Sequence, residues 1–253
     1  MSYKRNAYAT PRLIKHDGTL LNLDIDLFYN SMINFTAYIE KFYSSELDLA
    51  RILGMRNLSA TIGELFVKSM QDVFDGILIK NPHQDGYPDL LLMDDYGRQI
   101  YDELLKNNKL QEKAPFSPFA AGGIEVKATC GSIPDQKKCN KMNISRPDIG
   151  DQRIFVLKGY DWKAHHRQTN NLIGIVWDFI DGLPTITSLQ YSNKLTTDHW
   201  GKIVQPRTGG GRTTSVSIMT RAGVAEMYRG WLFVLDDSKY INFFNTYNNG
   251  NLM

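Results

Sequence analysis

The segment Gly122-Gly123-Ile124-Glu125-Val126-Lys127-Ala128-Thr129-Cys130-Gly131 places a carboxylate and an ammonium two positions apart. Glycines bound it, and the apolar or β-branched residues between them predict a short buried strand. Alternation along a strand puts Glu125 and Lys127 on one face. A buried strand has no packing reason to carry them, because burying charge is costly unless it is paired or engaged by a metal. The pattern marks a candidate site. Upstream, Tyr87-Pro88-Asp89-Leu90-Leu91-Leu92-Met93 opens a second apolar run with Pro-Asp, so Asp89 stands at the mouth of a strand. If the two strands pair, Asp89 and Glu125 converge on one divalent ion with Lys127 beside them. Carboxylate oxygens suit Mg²⁺, which usually keeps waters for chemistry.

Pro88-Asp89 followed by Glu125-x-Lys127 resembles the PD-(D/E)xK nuclease superfamily, and type II restriction endonucleases in particular, over residues 60–180. The resemblance implies Mg²⁺-dependent cleavage of double-stranded DNA at a specific sequence. Asp89 and Glu125 would hold the metal, while Lys127 would orient or deprotonate the attacking water and steady the charge developing at phosphorus. Family members often carry a helix-borne Glu upstream of the Pro-Asp strand, and Glu64 is the candidate here. A homodimer matched to a palindromic site is also implied, as is a cognate DNA methyltransferase. Two alternatives remain: a structure-directed repair or recombination nuclease of the same superfamily, and a non-catalytic DNA-binding protein in which Glu125 and Lys127 form a structural ion pair.

Context separates this pair from its look-alikes. Pro-Asp recurs at Pro134-Asp135 and Pro147-Asp148, and acid-x-Lys at Asp135-Gln136-Lys137, Asp161-Trp162-Lys163 and Asp237-Ser238-Lys239. None of these lies in a glycine-bounded apolar strand preceded by a Pro-Asp strand.

The elements that must position the site follow from periodicity. At 253 residues and 42% hydrophobic, the chain is long enough for a full core as a single domain. The expected fold is α/β: a central mixed sheet flanked by helices, restriction-endonuclease-like. Residues 1–58 form a mainly helical N-terminal part, 59–180 the catalytic core, and 181–253 the DNA-recognition and C-terminal part. Residues 1–23 read as an arm or short strands. Leu27, Phe28, Ser31, Met32, Phe35, Tyr38, Ile39 and Phe42 follow helical spacing from Asp24 or Asp26. A second helix, Glu46–Leu53, ends at Gly54, and Ser59 or Thr61 caps a third, Ile62–Phe74, with Glu64 in its first turn. Ile77–Lys80 reads as a strand, Arg98–Lys109 as an inserted helix, 132–151 as a basic loop and Arg153–Leu157 as a strand. A short helical link, Asp161–Thr169, leads to strands Leu172–Ile180 and Thr185–Tyr191. Strand Val216–Met219, helix Thr220–Arg229, strand Trp231–Leu235 and an Asn-rich surface tail from Asn242 complete the chain.

No apolar run approaches membrane-spanning length, and Met1–Arg5 lacks the apolar segment of a signal peptide, so a cytoplasmic protein is expected. Cys130 and Cys139 are too few for a four-Cys zinc site and read as free. Net charge is +2, but residues 126–229 carry +7 and the remainder −5. A basic half is what a polyanion partner calls for. Candidate DNA-backbone contacts are Lys137, Lys138, Lys141 and Arg146 in the basic loop. In the segment 205–215, Arg207, Arg212, Thr213 and Thr214 flank or follow three glycines and suit base or phosphate contacts; it lacks the Gly-Lys-Ser/Thr ending of a P-loop. His165-His166 with Asn170 or Asn171 is similar to a His-His-Asn site of the HNH kind, but that family needs a further His close downstream and the next is His199. Capping or phosphate contacts are the preferred roles for His165 and His166, which stand among the candidate DNA contacts.

Overall fold

The computed structural model describes residues 1–43, 49–146, 153–157, 159–160, 162–165, 167, 170–206 and 215–247. The chain begins with strand β1 (Tyr3–Arg5) and a hairpin of β2 (Arg12–Ile14) and β3 (Leu20–Asn22). Helix α1 (Ile25–Tyr43) then buries Phe28, Met32, Phe35 and Ile39 along one face, at the i, i+3/i+4 spacing of an amphipathic helix. Helix α2 (Leu49–Val73) breaks at Gly54, whose φ of 65° and ψ of 162° are non-helical and open to glycine at little cost.

A second hairpin, β4 (Leu78–Lys80) with β5 (Leu90–Leu92), precedes α3 (Asp95–Lys106), which Asp94 caps by accepting from the Gly97 N–H at 3.0 Å. Strand β6 (Glu125–Thr129) follows, then the short α4 (Gln136–Lys141), β7 (Lys163–Ala164), and the long hairpin β8 (Leu172–Ile180) and β9 (Leu183–Ser192). Asp181 and Gly182, both at positive φ, form its turn. Strand β10 (Ser217–Ile218), α5 (Arg221–Arg229), β11 (Trp231–Leu235) and α6 (Ser238–Tyr247) close the chain.

The central sheet runs β1-β11-β9-β8-β6 and is mixed: β6 is parallel to β8 and every other pairing is antiparallel. Alternation along β8 divides the core. Ile173, Ile175 and Trp177 pack with α1 and α2, whereas Leu172 and Val176 pack with Trp162, Met227, Tyr228, Tyr240 and Phe244 of the other face. The α/β class with helices on both faces is therefore as the sequence predicts. Strands from both termini enter the one sheet, so the three parts expected from the sequence share it. No helix among the described residues is long and apolar enough to cross a membrane.

Several local expectations are corrected. Ser59 and Thr61 cap nothing: they lie inside α2, where Ser59 accepts from the Trp177 indole at 3.2 Å and Thr61 donates to the Asn57 carbonyl at 2.8 Å. Glu64 is consequently mid-helix rather than in a first turn. The segment Ile154–Val156 is a 3-10 turn, not a strand. The basic loop contains α4, capped by Asp135, so the Pro134-Asp135 look-alike is a helix start. The link before β8 carries β7, which pairs with β10. The tail from Asn242 belongs in part to α6, whose Tyr240 and Phe244 are buried.

Candidate active site

Two strands separated by a long insert have to meet for Asp89 and Glu125 to act together. They do. Leu90 and Ile124 form an antiparallel bridge, with N–H to carbonyl distances of 3.0 and 2.8 Å. Gly123 allows this approach, because a Cβ there would come within 2.1 Å of the Leu90 carbonyl oxygen. The insert packs back on the hairpin: Phe116 and Ala121 are buried with Leu91, and Ile100, Tyr101 and Leu104 of α3 pack against them.

Asn171 braces the same corner. Its Nδ2 donates to the carbonyls of Ile14 (2.9 Å) and Gly123 (3.0 Å), and its Oδ1 accepts from the Ile14 N–H (2.9 Å) and the Tyr191 hydroxyl (3.4 Å). It is fully buried. The His-His-Asn option thus loses Asn171 to a structural role, and His166 lies outside the described residues. Asn171→Ala would leave several buried groups unpaired. We expect a loss of roughly 3 kcal/mol or more in denaturant unfolding, with Asn171→Asp intermediate.

At this corner the three side chains converge. The Asp89 N–H donates to Glu125 Oε2 at 3.2 Å, and the Val126 N–H donates to Asp89 Oδ2 at 2.8 Å. Lys127 Nζ is ion-paired with Glu125 Oε1 and lies 3.9 Å from Asp89 Oδ2. The Glu125 side chain is 2% exposed, Lys127 22% and Asp89 30%, so the site opens to solvent on the Asp89 and Lys127 side.

Burial pushes the Glu125 carboxyl up to about 8, with the Asp89 charge adding and Lys127 opposing. Burial works against the Lys127 charge too, but Glu125 and Asp89 outweigh it and hold the ammonium above its ordinary range. Once Glu125 gives up its proton, two carboxylates and one ammonium leave the corner short of positive charge. Oxygen donors in that state fit a divalent cation that completes its shell with water. Asp89 and Glu125 are the residues that would hold it. Among the described residues no group of three His, Cys, Asp or Glu gathers tightly enough to hold an ion alone.

Glu64 stands further out. With Asp89, Asn81 and His83 it lines a small depression, and its carboxylate pairs with Lys80 at 2.5 Å in an exposed ion pair. Glu64→Gln is accordingly expected to lower any metal-dependent turnover by about tenfold or less, checked by single-turnover kinetics. Lys80 and Asn81 were not visible as site residues from the sequence, where the segment reads as a strand and turn. Asn81 nevertheless shapes the Pro88-Asp89 mouth, its Nδ2 donating to the Pro88 carbonyl at 2.9 Å and its N–H to the Asp89 carbonyl at 2.9 Å.

The candidate DNA contacts are scattered. Lys137, Lys138 and Lys141 are exposed on α4 and Arg146 is exposed just after it, beyond the C-terminal end of β6. His165 is exposed, and its Nδ1 contacts the Ser215 carbonyl at 2.6 Å. Arg207, Arg212, Thr213 and Thr214 lie outside the described residues. Among the described residues, Cys130 and Cys139 form no disulfide. Comparison with family models, characterised proteins and solved structures finds no match to this chain.

Proposed function

We propose that the chain is a Mg²⁺-dependent, sequence-specific endonuclease that hydrolyses phosphodiester bonds of double-stranded DNA, restriction-endonuclease-like in fold and acting in the cytoplasm as a homodimer. The observation that carries this reading is the convergence of Asp89, Glu125 and Lys127 from two strands that a 36-residue separation keeps apart in sequence. An ordinary structural ion pair needs only Glu125 and Lys127. The third group, the raised Glu125 carboxyl and the open side favour a site for chemistry.

Mg²⁺ held by Asp89 and Glu125 would supply positive charge against the phosphate in the transition state. Lys127, kept as an ammonium by its two carboxylate neighbours, donates hydrogen bonds and charge: it orients the attacking water and steadies the oxygens at phosphorus. Asp89 and Glu125 fix one another through the backbone amides of Asp89 and Val126, which preorganises the pair. The basic excess over residues 126–229 and the exposed lysines of α4 suit a polyanionic substrate.

Digestion of supercoiled plasmid and phage DNA in MgCl₂ tests the proposal. Discrete fragments support a sequence-specific enzyme. Smears point to the structure-directed nuclease, and DNA that is bound but intact sinks the catalytic reading.

A further inference from the structure

The turn between β4 and β5 folds over the mouth of the candidate site, and Asn81 is its hub. The Asn81 N–H donates to the Asp89 carbonyl and its Nδ2 to the Pro88 carbonyl, both at 2.9 Å. Its Oδ1 accepts from the His83 N–H at 3.0 Å. The Gly86 N–H closes the turn on the His83 carbonyl at 2.9 Å. Position 86 calls for glycine, since a Cβ would come within 2.3 Å of the buried Asn81 side chain. His83 is thereby fixed beside Asp89, and the two line one depression with Glu64. Because Asp89 belongs to both, the depression and the catalytic corner are continuous. Glu64 is near enough for its charge to help hold the Lys127 ammonium.

His83 is half-buried, so its ring is held by the turn and still open to a ligand. Its Nδ1 accepts from the Asp85 N–H at 2.9 Å. A backbone N–H can only donate, so Nδ1 keeps its lone pair and the proton of the neutral ring sits on Nε2. Nε2 is then a donor, and it has no partner among the described residues. The same tautomer argues against metal ligation. A ring that ligates through Nε2 carries its proton on Nδ1 and donates it outward, which the Asp85 N–H forbids. Glu64 and Lys80, on the same wall, engage each other at 2.5 Å. His83 therefore brings to the depression a fixed N–H in need of an acceptor.

Resting on the nuclease reading, we propose that His83 is a catalytic residue whose Nε2–H donates to a non-bridging oxygen of the DNA phosphate seated at Asp89. A phosphate there needs donors, because Asp89 and ionised Glu125 present only acceptors to it. Lys127 and the cation meet it from the corner, and His83 meets it from the turn. A hydrogen bond to an anion is about twice as strong as one between neutral groups. It strengthens further as charge gathers on the phosphate oxygens during displacement. The imidazole stays neutral throughout and moves no proton. Asn81, which ties the His83 N–H to the Pro88 carbonyl, is then a positioning residue.

Two variants separate the contact from the turn. His83→Asn places an oxygen where Nδ1 stands, so it keeps an acceptor for the Asp85 N–H and loses the Nε2 donor; His83→Gln keeps a donor near Nε2. His83→Asn should melt with the wild type and lower single-turnover cleavage in MgCl₂ by about 10–100-fold. His83→Gln should recover most of that loss. The contact itself is read with duplexes that carry single phosphorothioates, since sulfur accepts hydrogen bonds poorly. At one linkage, sulfur in one configuration should cost the wild type about tenfold in cleavage and about threefold in binding in CaCl₂. The same sulfur should cost His83→Asn nothing further. Cleavage by His83→Asn at the wild-type rate would overturn the proposal, as would a sulfur effect undiminished in that variant at every linkage. Recovery of His83→Asn by raised Mg²⁺ alone would also overturn it, since that is the mark of a metal ligand. If the wild type binds DNA and cuts none, the nuclease reading fails and the binding pattern still decides the contact. A sulfur effect on binding that disappears in His83→Asn then upholds it, and one that persists overturns it.

Discussion

Lys127→Ala is expected to reduce Mg²⁺-dependent DNA cleavage by about 10²–10⁴-fold while leaving DNA affinity within about threefold of wild type. The ammonium lies against two carboxylates at the strand corner, and its charge faces the place where negative charge would develop at phosphorus. Removing it deletes a transition-state interaction that ground-state binding does not need, so the loss belongs in turnover rather than in affinity. Lys127→Arg should recover little, because a planar guanidinium does not reproduce a compact ammonium. Single-turnover cleavage and anisotropy on one oligonucleotide separate the two effects. Equal losses in binding and cleavage would instead mark Lys127 as a phosphate-gripping residue.

Glu125→Gln is expected to abolish cleavage and yet stabilise the metal-free protein at pH 8. The Glu125 carboxyl is held at about 8 against an ordinary value of 4.5, first by burial and then by the Asp89 charge. Between those values the folded protein keeps a proton that the unfolded chain has released. Stability therefore falls as pH rises through this window, by an amount on the order of 2–4 kcal/mol. Glutamine removes that slope and keeps the shape. Asp178 is also held up by burial but contributes equally to both proteins, so their difference reports Glu125. At pH 8 the variant should melt roughly 5–10 °C higher. Near pH 4 the two should converge.

The same linkage governs the ion. A cation at Asp89 and Glu125 must displace the Glu125 proton at neutral pH, so less Mg²⁺ should be needed as pH rises from 6.5 to 8.5. Mg²⁺ should raise the melting temperature of the wild type and not of Glu125→Gln. Parallel melting curves over pH 4–9, with and without Mg²⁺, measure both effects.

How much of this was legible beforehand depended on whether a feature is local. Glu125 and Lys127 were readable because two glycines and β-branched neighbours announce a buried strand in which charge is out of place. Helix α1 was readable from the spacing of Phe28, Met32 and Phe35, since a long amphipathic stripe survives without its context. Glu64 was misplaced in its helix because Ser59 and Thr61 look like caps, whereas packing against Trp177 carries α2 through them. The second half of α6 was lost in its Asn-rich composition, although Tyr240 and Phe244 sit one turn apart and are buried.

The corner is of a different kind. Lys80 of β4 meets Glu64 of α2, and Asn171 clamps Ile14 to Gly123, across long stretches of sequence. No spacing rule connects them, because their proximity comes from long-range contacts such as the Leu90–Ile124 bridge and the Asn171 clamp.

The most direct test of the central claim is a time course of phage DNA with purified protein and MgCl₂, run beside Lys127→Ala and beside wild type in EDTA, with DNA binding measured in every arm. The account predicts discrete fragments from the wild type in Mg²⁺ alone and intact DNA in both controls, with Lys127→Ala still bound to it. Cleavage that persists in Lys127→Ala or in EDTA, or no cleavage by a wild type that binds DNA, would contradict it.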